Sequence, residues 1–336
     1  MKHIQNGTSR FVRLALSGAL FMGCLAGSAA HANITFQFNY TDPDGTGFRD
    51  HIYGPARQAA LNTAASTFSS MFASHFSADG TIVLDASTNN QPGALAGAYS
   101  YSMNLGTPGF NLGEVVPTKL QAHNDLNGSN ADGSVTVNFD MPWALDINSP
   151  PTSYSGQYDF YGTLYHEFTH ALGFTGGGIA EDGTPLAGTK EAGSWNNFAS
   201  HIVDRHDAKI IDPNTFALNQ DRWDAAAGNS SAGIVGDGLF FDGPNAVAAN
   251  GGYLVTLYTP SPWEPGSSVS HLDPSYGTLM TPAADTGLQP HDYSAVEIGI
   301  LKDLGYVSAV PEPETYSMLL AGLAVCGWIA RRQQQA

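Results

Sequence analysis

Residues 158–174 of this 336-residue chain read YDFYGTLYHEFTHALGF, and the two histidines in that stretch constrain the fold more than any other feature. His166 and His170 are four apart, so on a helix they stand one turn apart on one face and can reach the same point. Phe160, Leu164, Phe168, Ala171 and Leu172 supply an apolar side, which asks for a core behind the helix. Glu167 follows the first histidine. In the order HExxH, the imidazoles can hold a metal ion and the glutamate can act as general base toward a water that the metal acidifies. The fold must therefore bury one side of this helix and leave the other open. It must also bring a third protein ligand from elsewhere, because a catalytic zinc site takes three and keeps its fourth position free.

The source of that ligand is the next question. It is a glutamate on a following helix in some such sites, and the last histidine of HExxHxxGxxH in others. Gly173 fits the glycine of the longer pattern, where the chain leaves the helix sharply, but the next ligand position is Gly176, which has no side chain. Downstream candidates are His201, His206, His271 and His291, with Glu181 and Glu191 as carboxylates. His201 and His206 lie in FASHIVDRHDAKI, whose alternation suggests a solvated strand face, and His291 precedes a helix that it could cap or pack. His271 differs: SVSHLDPSYGTLMTP places Met280 nine residues later in a turn-forming context, as in a methionine turn beneath a three-histidine site.

Gly, Asn, Asp and Ser clusters punctuate short apolar runs throughout, which predicts a loop-rich α+β body without internal repeats. Ile52, Ala56, Ala60, Ala64, Phe68 and Met71 predict a helix over 49–74, and strands are expected near 82–84, 135–139 and within 93–105. The segment SVTVNFDMPW reads as a strand, either at a sheet edge, where it could pair with an extended peptide, or in the core with no ligand role. From Phe174 to Val269 the sequence is glycine-rich, with strand-like pieces in GLFFDG and GYLVTLYTP; a structureless loop that long would be unusual, so this reads as the body of a second lobe. Ser294-Ala295-Val296-Glu297 is a capping box that opens a helix running to about Leu304 and stopping at Gly305. Two stretches, DPDGTG (42–47) and NDLNGSNADG (124–133), offer hard oxygen ligands for Ca2+, but neither has the EF-hand order with a distal bidentate glutamate, and ordinary turns are the preferred reading.

Both ends read as targeting segments. Lys2, Arg10 and Arg13 precede the apolar run 14–27, and Ala30-His31-Ala32 fits a cleavage site, so residues 1–32 read as a signal peptide. At the other end, Val310-Pro311-Glu312-Pro313 precedes the apolar run 315–330 and Arg331-Arg332. At about 1.5 Å per residue that run is short of a hydrocarbon core of roughly 30 Å. The order resembles the PEP-CTERM sorting signal, which implies a sorting enzyme as partner, transient anchoring at 308–336 as the only membrane contact, and a destination outside the inner membrane.

Cys24 and Cys326, the only cysteines, both lie in these end segments, so the exported body has no disulfide and no thiolate ligand. Between Asn33 and Val310 it carries 28 acidic against 8 basic residues, a net charge of −20. No basic face can be assembled to neutralise phosphates, which excludes a nucleic-acid partner.

The landmarks HEFTHALGF, a long insertion, SHLD, LMTP and a capped helix ending in ILKDLGY resemble the leishmanolysin-like metzincins, over residues 158–306. That resemblance implies a two-lobed zinc endopeptidase acting on protein or peptide substrates. Its N-terminal lobe (33–175) would carry a mixed sheet and the active-site helix, and its C-terminal lobe (176–307) the third ligand and methionine turn. Carried over by position, His166, His170 and His271 are the Zn2+ ligands, Glu167 the base and Met280 the hydrophobic floor. The body lacks the cysteines of that family, so latency through a thiolate is excluded. No tyrosine stands two residues after Met280. Other activities compatible with the same residues are a zinc amidase acting on cell-wall material and a non-proteolytic surface or matrix protein; the intact Glu167 argues against the latter.

Overall fold

The first strand is set by alternation. In β1 (Ile34–Tyr40), Ile34, Phe36, Phe38 and Tyr40 turn toward the helices while Thr35, Gln37 and Asn39 face out. The computed structural model describes residues 33–103, 107–176, 179–184, 193–228, 236–282 and 284–309, with Gly322. After β1 come α1 (Gly54–His75), β2 (Gly80–Thr88), β3 (Ala96–Ser100), α2 (Val115–Ala122) and β4 (Gly133–Val137). These strands form one sheet in the order β1-β2-β4-β3, with β1, β2 and β4 parallel and β3 antiparallel along β4. The fold is α+β.

The parallel pair β5 (Trp143–Ala144) and β6 (Tyr158–Asp159) leads into α3 (Phe160–Ala171), which carries the HExxH residues. Helix α3 packs against the sheet beside α1. The Phe168 ring lies 4.7 Å from Phe36 and 5.3 Å from Phe68, and the Tyr165 hydroxyl donates to Thr67 at 2.6 Å. Phe168 is fully buried, and truncating such a ring costs about 3–5 kcal/mol. The long segment after α3 contains β7 (Ile202–Val203), α4 (Gln220–Ala227), β8 (Phe240–Phe241), α5 (Pro244–Ala249) and β9 (Val255–Thr256). Its three strands make a small antiparallel sheet. The last helix, α6 (Ala295–Asp303), starts at the expected capping box and gives way at Gly305, φ +109°.

Several expectations are corrected. Helix α1 begins five residues later than predicted, because the Asp50 carboxylate takes the Ile52 and Tyr53 N–H groups in a turn and Pro55 opens the helix. Ile52 is 78% exposed and Ala56 is also exposed, so the buried face runs through Ala60, Ala64 and Phe68 instead. The edge strand beside α3 is β3; the SVTVNFDMPW segment supplies β4, which is interior, between β2 and β3. Only Ile202 and Val203 of FASHIVDRHDAKI are strand, and both are buried. His201 ends a 3-10 turn and His206 lies on the exposed loop beyond.

The signal-peptide segment, all but the first two residues of 308–336 apart from Gly322, both cysteines and Glu191 lie outside the described residues. Among the described residues no helix is long and apolar enough to cross a membrane.

Candidate metal centre

Asp159 anchors the helix that carries the site. As N-cap it accepts from the N–H groups of Tyr161 (3.1 Å) and Gly162 (3.2 Å). Its second oxygen takes the Gln289 N–H at 3.0 Å and His291 Nε2 at 2.7 Å. Burial opposes its ionisation, but these donors outweigh it and hold the carboxyl below the ordinary range. His291 thus ties the segment before α6 to the start of α3 rather than capping its own helix. At the other end Gly173 turns out of the helix at φ +96°, where a Cβ would come within 3.1 Å of Pro117.

One turn apart on α3, His166 and His170 point their Nε2 atoms at each other, 3.0 Å apart, and His271 brings its Nε2 to 3.0 Å from His166 and 3.2 Å from His170. Each ring is fixed from behind. His166 Nδ1 meets the Leu279 carbonyl at 2.6 Å, His170 Nδ1 the Phe174 carbonyl at 2.6 Å, and His271 Nδ1 the Ser267 carbonyl at 2.7 Å. A carbonyl only accepts, so each Nδ1 carries the proton and each Nε2 presents a bare lone pair. Three lone pairs therefore converge with no hydrogen between them, an arrangement that repels unless a cation sits among them. Burial keeps the rings neutral, with His166 lowered to about 4, His271 to about 3 and His170 well below its ordinary value. For tetrahedral coordination at about 2.0–2.1 Å the nitrogens should stand roughly 3.3 Å apart. The observed triangle is within a few tenths of an ångström of that, so these residues fit a zinc ion. Among the described residues this is the one cluster of three or more metal-donor side chains close enough to share an ion.

Glu167, 8% exposed, lies near the edge strand, with the Ala98 N–H facing its carboxylate. Burial raises its pKa to about 8, and the amide only partly offsets this. A cation at the triad would favour the ionised form.

Gly176 has a positive reason to be glycine. A Cβ there would lie 2.8 Å from the carbonyl carbon and oxygen of Val269 and 2.9 Å from its Cγ1. The backbone of the His271 segment fills the space that a ligand side chain at 176 would need. Ser270 fastens the approach, its Oγ taking the Gly176 N–H at 3.2 Å and lying 3.3 Å from Thr175 Oγ1. Val269 itself sits at φ +66°, unusual for a β-branched residue.

Met280 is fully buried, and its carbonyl accepts from the Leu272 N–H, closing the loop that begins at His271. Its own N–H donates to Glu297 Oε1 at 2.6 Å, while Glu297 Oε2 accepts the Ser294 N–H. One carboxylate thus caps α6 and fixes the turn whose Leu279 carbonyl orients His166. The capping box was legible in the sequence; its second use was not. Asp159 was also overlooked, although an aspartate just before an apolar helical run is a start signal.

The remaining candidates are occupied elsewhere. His201 Nδ1 pairs with Asp242 at 3.2 Å, with Lys209 on the other oxygen of that carboxylate at 2.6 Å, and His206 stands beside Arg205. The Glu181 carbonyl accepts from the Trp223 indole. In DPDGTG both oxygens of Asp42 take backbone N–H groups, from Phe48 and Thr88. In NDLNGSNADG, Lys119 bridges Asp125 and Asp132.

The PEP-CTERM protein-sorting motif matches residues 309–333. It marks an exported protein that a sorting enzyme recognises at its C-terminal segment and that is directed to the cell surface. No curated protein and no solved structure matches the chain.

Proposed function

We propose that this chain is a zinc-dependent endopeptidase of the metzincin type, similar to leishmanolysins, that acts on proteins or peptides outside the cell. The observation that carries the reading is the convergence of three Nε2 lone pairs, each fixed by an Nδ1–H donated to a carbonyl, with a buried glutamate next to the first histidine. What zinc supplies when bound is Lewis acidity, polarising a carbonyl and acidifying a water.

The chain's own groups do the rest. Glu167 takes the proton of the attacking water and passes it to the leaving amide nitrogen, the Ala98 N–H facing its carboxylate and favouring its ionised form. The free side of β3 offers backbone groups to an extended substrate, which aligns the scissile bond with Glu167. The carbonyls of Leu279, Phe174 and Ser267 keep the imidazoles in the tautomer that leaves Nε2 free. Glu167→Gln tests the assignment: it should retain one equivalent of zinc and lose cleavage of an unfolded protein by at least about 10²-fold. Undiminished cleavage would remove Glu167 from the mechanism.

A further inference from the structure

Behind the Gly173 turn lies an open cavity of about 200 Å³. Its walls are the Phe110–Glu114 loop, α2, Leu172–Gly173, Asn196–Asn197 and Leu304. Glu114 is the N-cap residue of α2, yet its side chain makes no capping bond. It turns into the cavity instead, where Gly173 leaves room: a Cβ on Gly173 would stand 3.8 Å from Glu114 Oε2. The partner found for this carboxyl is Asn196, whose Oδ1 is taken by the Ala199 N–H and whose amide also donates to the Thr175 carbonyl. Among the described residues, no lysine, arginine or histidine lines the cavity. Lys119, on the same helix, is turned to Asp125 and Asp132. Burial raises Glu114 to about 7, as expected for an acid with no cation beside it.

The space and the charge together select a ligand class. The volume equals that of about six or seven waters, room for a small organic molecule. Ca2+ or Mg2+ would need six or more oxygen ligands, and one carboxylate with an already committed Asn196 does not supply them. A planar guanidinium needs only the carboxylate, which it meets with two parallel N–H bonds. Pro117, Leu172 and Leu304 give a short alkyl chain an apolar wall, and Gln121 and Asn197 stand at the polar side. We propose that this cavity binds a small organic cation of the alkylguanidinium type, its head on Glu114 and its chain along Pro117 and Leu304. This does not depend on the zinc reading.

Calorimetric titration of the purified full chain with propylguanidinium at pH 8 should show one site. The neutral isostere propylurea should not bind. From an acid near 7, affinity should fall about tenfold at pH 6. Glu114→Gln should weaken binding tenfold or more. Thr118→Phe, which fills the cavity from α2 and keeps the carboxylate, should abolish it with an unchanged circular dichroism spectrum, and so decides the matter even where Glu114→Gln does not fold. Absence of binding, equal binding of propylurea, or full binding to Thr118→Phe would overturn the proposal.

Discussion

Replacing Gly176 by alanine should weaken zinc binding without touching any proposed ligand. Ordinary contact begins near 3.4 Å, and the new methyl would sit 2.8 Å from backbone atoms of Val269, so the two segments must part by about 0.6 Å. Val269 cannot yield by a side-chain rotation, because the clash is with its carbonyl group. Its N–H is held by the Tyr258 carbonyl at 2.8 Å, and its φ of +66° is already unfavourable. The movement therefore passes to Ser270 and His271. Metal–ligand distances tolerate about ±0.2 Å, so zinc affinity should drop by about 10–100-fold, the range seen when ligand-orienting groups are lost. The metal-free chain should lose about 1–3 kcal/mol to overpacking. An unhindered Gly→Ala change would have the opposite sign, raising stability by about 0.4–1 kcal/mol. Competition with a chromophoric chelator gives the affinity and thermal melting the stability. Unchanged affinity with raised stability would show that Gly176 is an ordinary loop residue and that the packing argument for His271 is wrong.

His271→Ala should bring zinc in the purified protein well below one equivalent, whereas His201→Ala, which removes only one of the two partners of Asp242, should keep it full; metal analysis showing the reverse would transfer the third-ligand role to His201. Stability of the metal-free chain should peak close to pH 6.5. Below that value the unfolded histidines take protons that His166 and His271 refuse until about 4 and about 3, and His170 until well below its ordinary value, so stability falls as the pH drops. Glu167 and Glu114, raised to about 8 and about 7, act in the opposite sense. They offset part of the acid-side loss, and above pH 6.5 they become the stronger influence, so stability also declines toward pH 8. Glu167→Gln should flatten this alkaline limb, and a melting temperature that climbs steadily from pH 6.5 to 8 would contradict the assignment. Glu297→Gln keeps the helix cap partly intact but weakens the charge-assisted bond to the Met280 N–H. A loss of about 1–3 kcal/mol is expected on denaturant unfolding, together with a measurable drop in zinc affinity through Leu279 and His166.

What could be read from the sequence was local or periodic. The position of α3 followed from the apolar spacing around HExxH, and α6 from its capping box, because such signals act within a few residues. The interior place of β4 could not be read in this way. Its buried run Gly133–Val137 looks the same whether one or two neighbours pair with it, and strand order depends on which distant segments meet. The start of α1 was missed because the turn chemistry of Asp50 competed with a helical pattern that Ile52 only mimicked. His271 was a candidate because Met280 follows it. Its geometric partnership with Gly176 rests on a backbone approach across more than ninety residues that no spacing encodes.

The same approach accounts for how His271 reaches His166 and His170 from so far along the chain. The intervening residues return to the scaffold before reaching it. Asp303 of α6 accepts the N–H groups of Asn245 and Ala246 at the start of α5, and Gly299 permits α5 to approach so closely that a Cβ there would lie 2.6 Å from Ala246. Helix α6 in turn supplies Glu297 to the Met280 N–H, and the neighbouring Leu279 carbonyl orients His166. The intervening segment is thereby braced on the helix that fixes one histidine, while β9 and Tyr258, whose N–H donates to the His271 carbonyl at 2.8 Å, fix another. A ligand six residues after His170 would need only a short turn. Here the third histidine is positioned by a small sheet and two helices, and its precision depends on their packing rather than on the length of chain between.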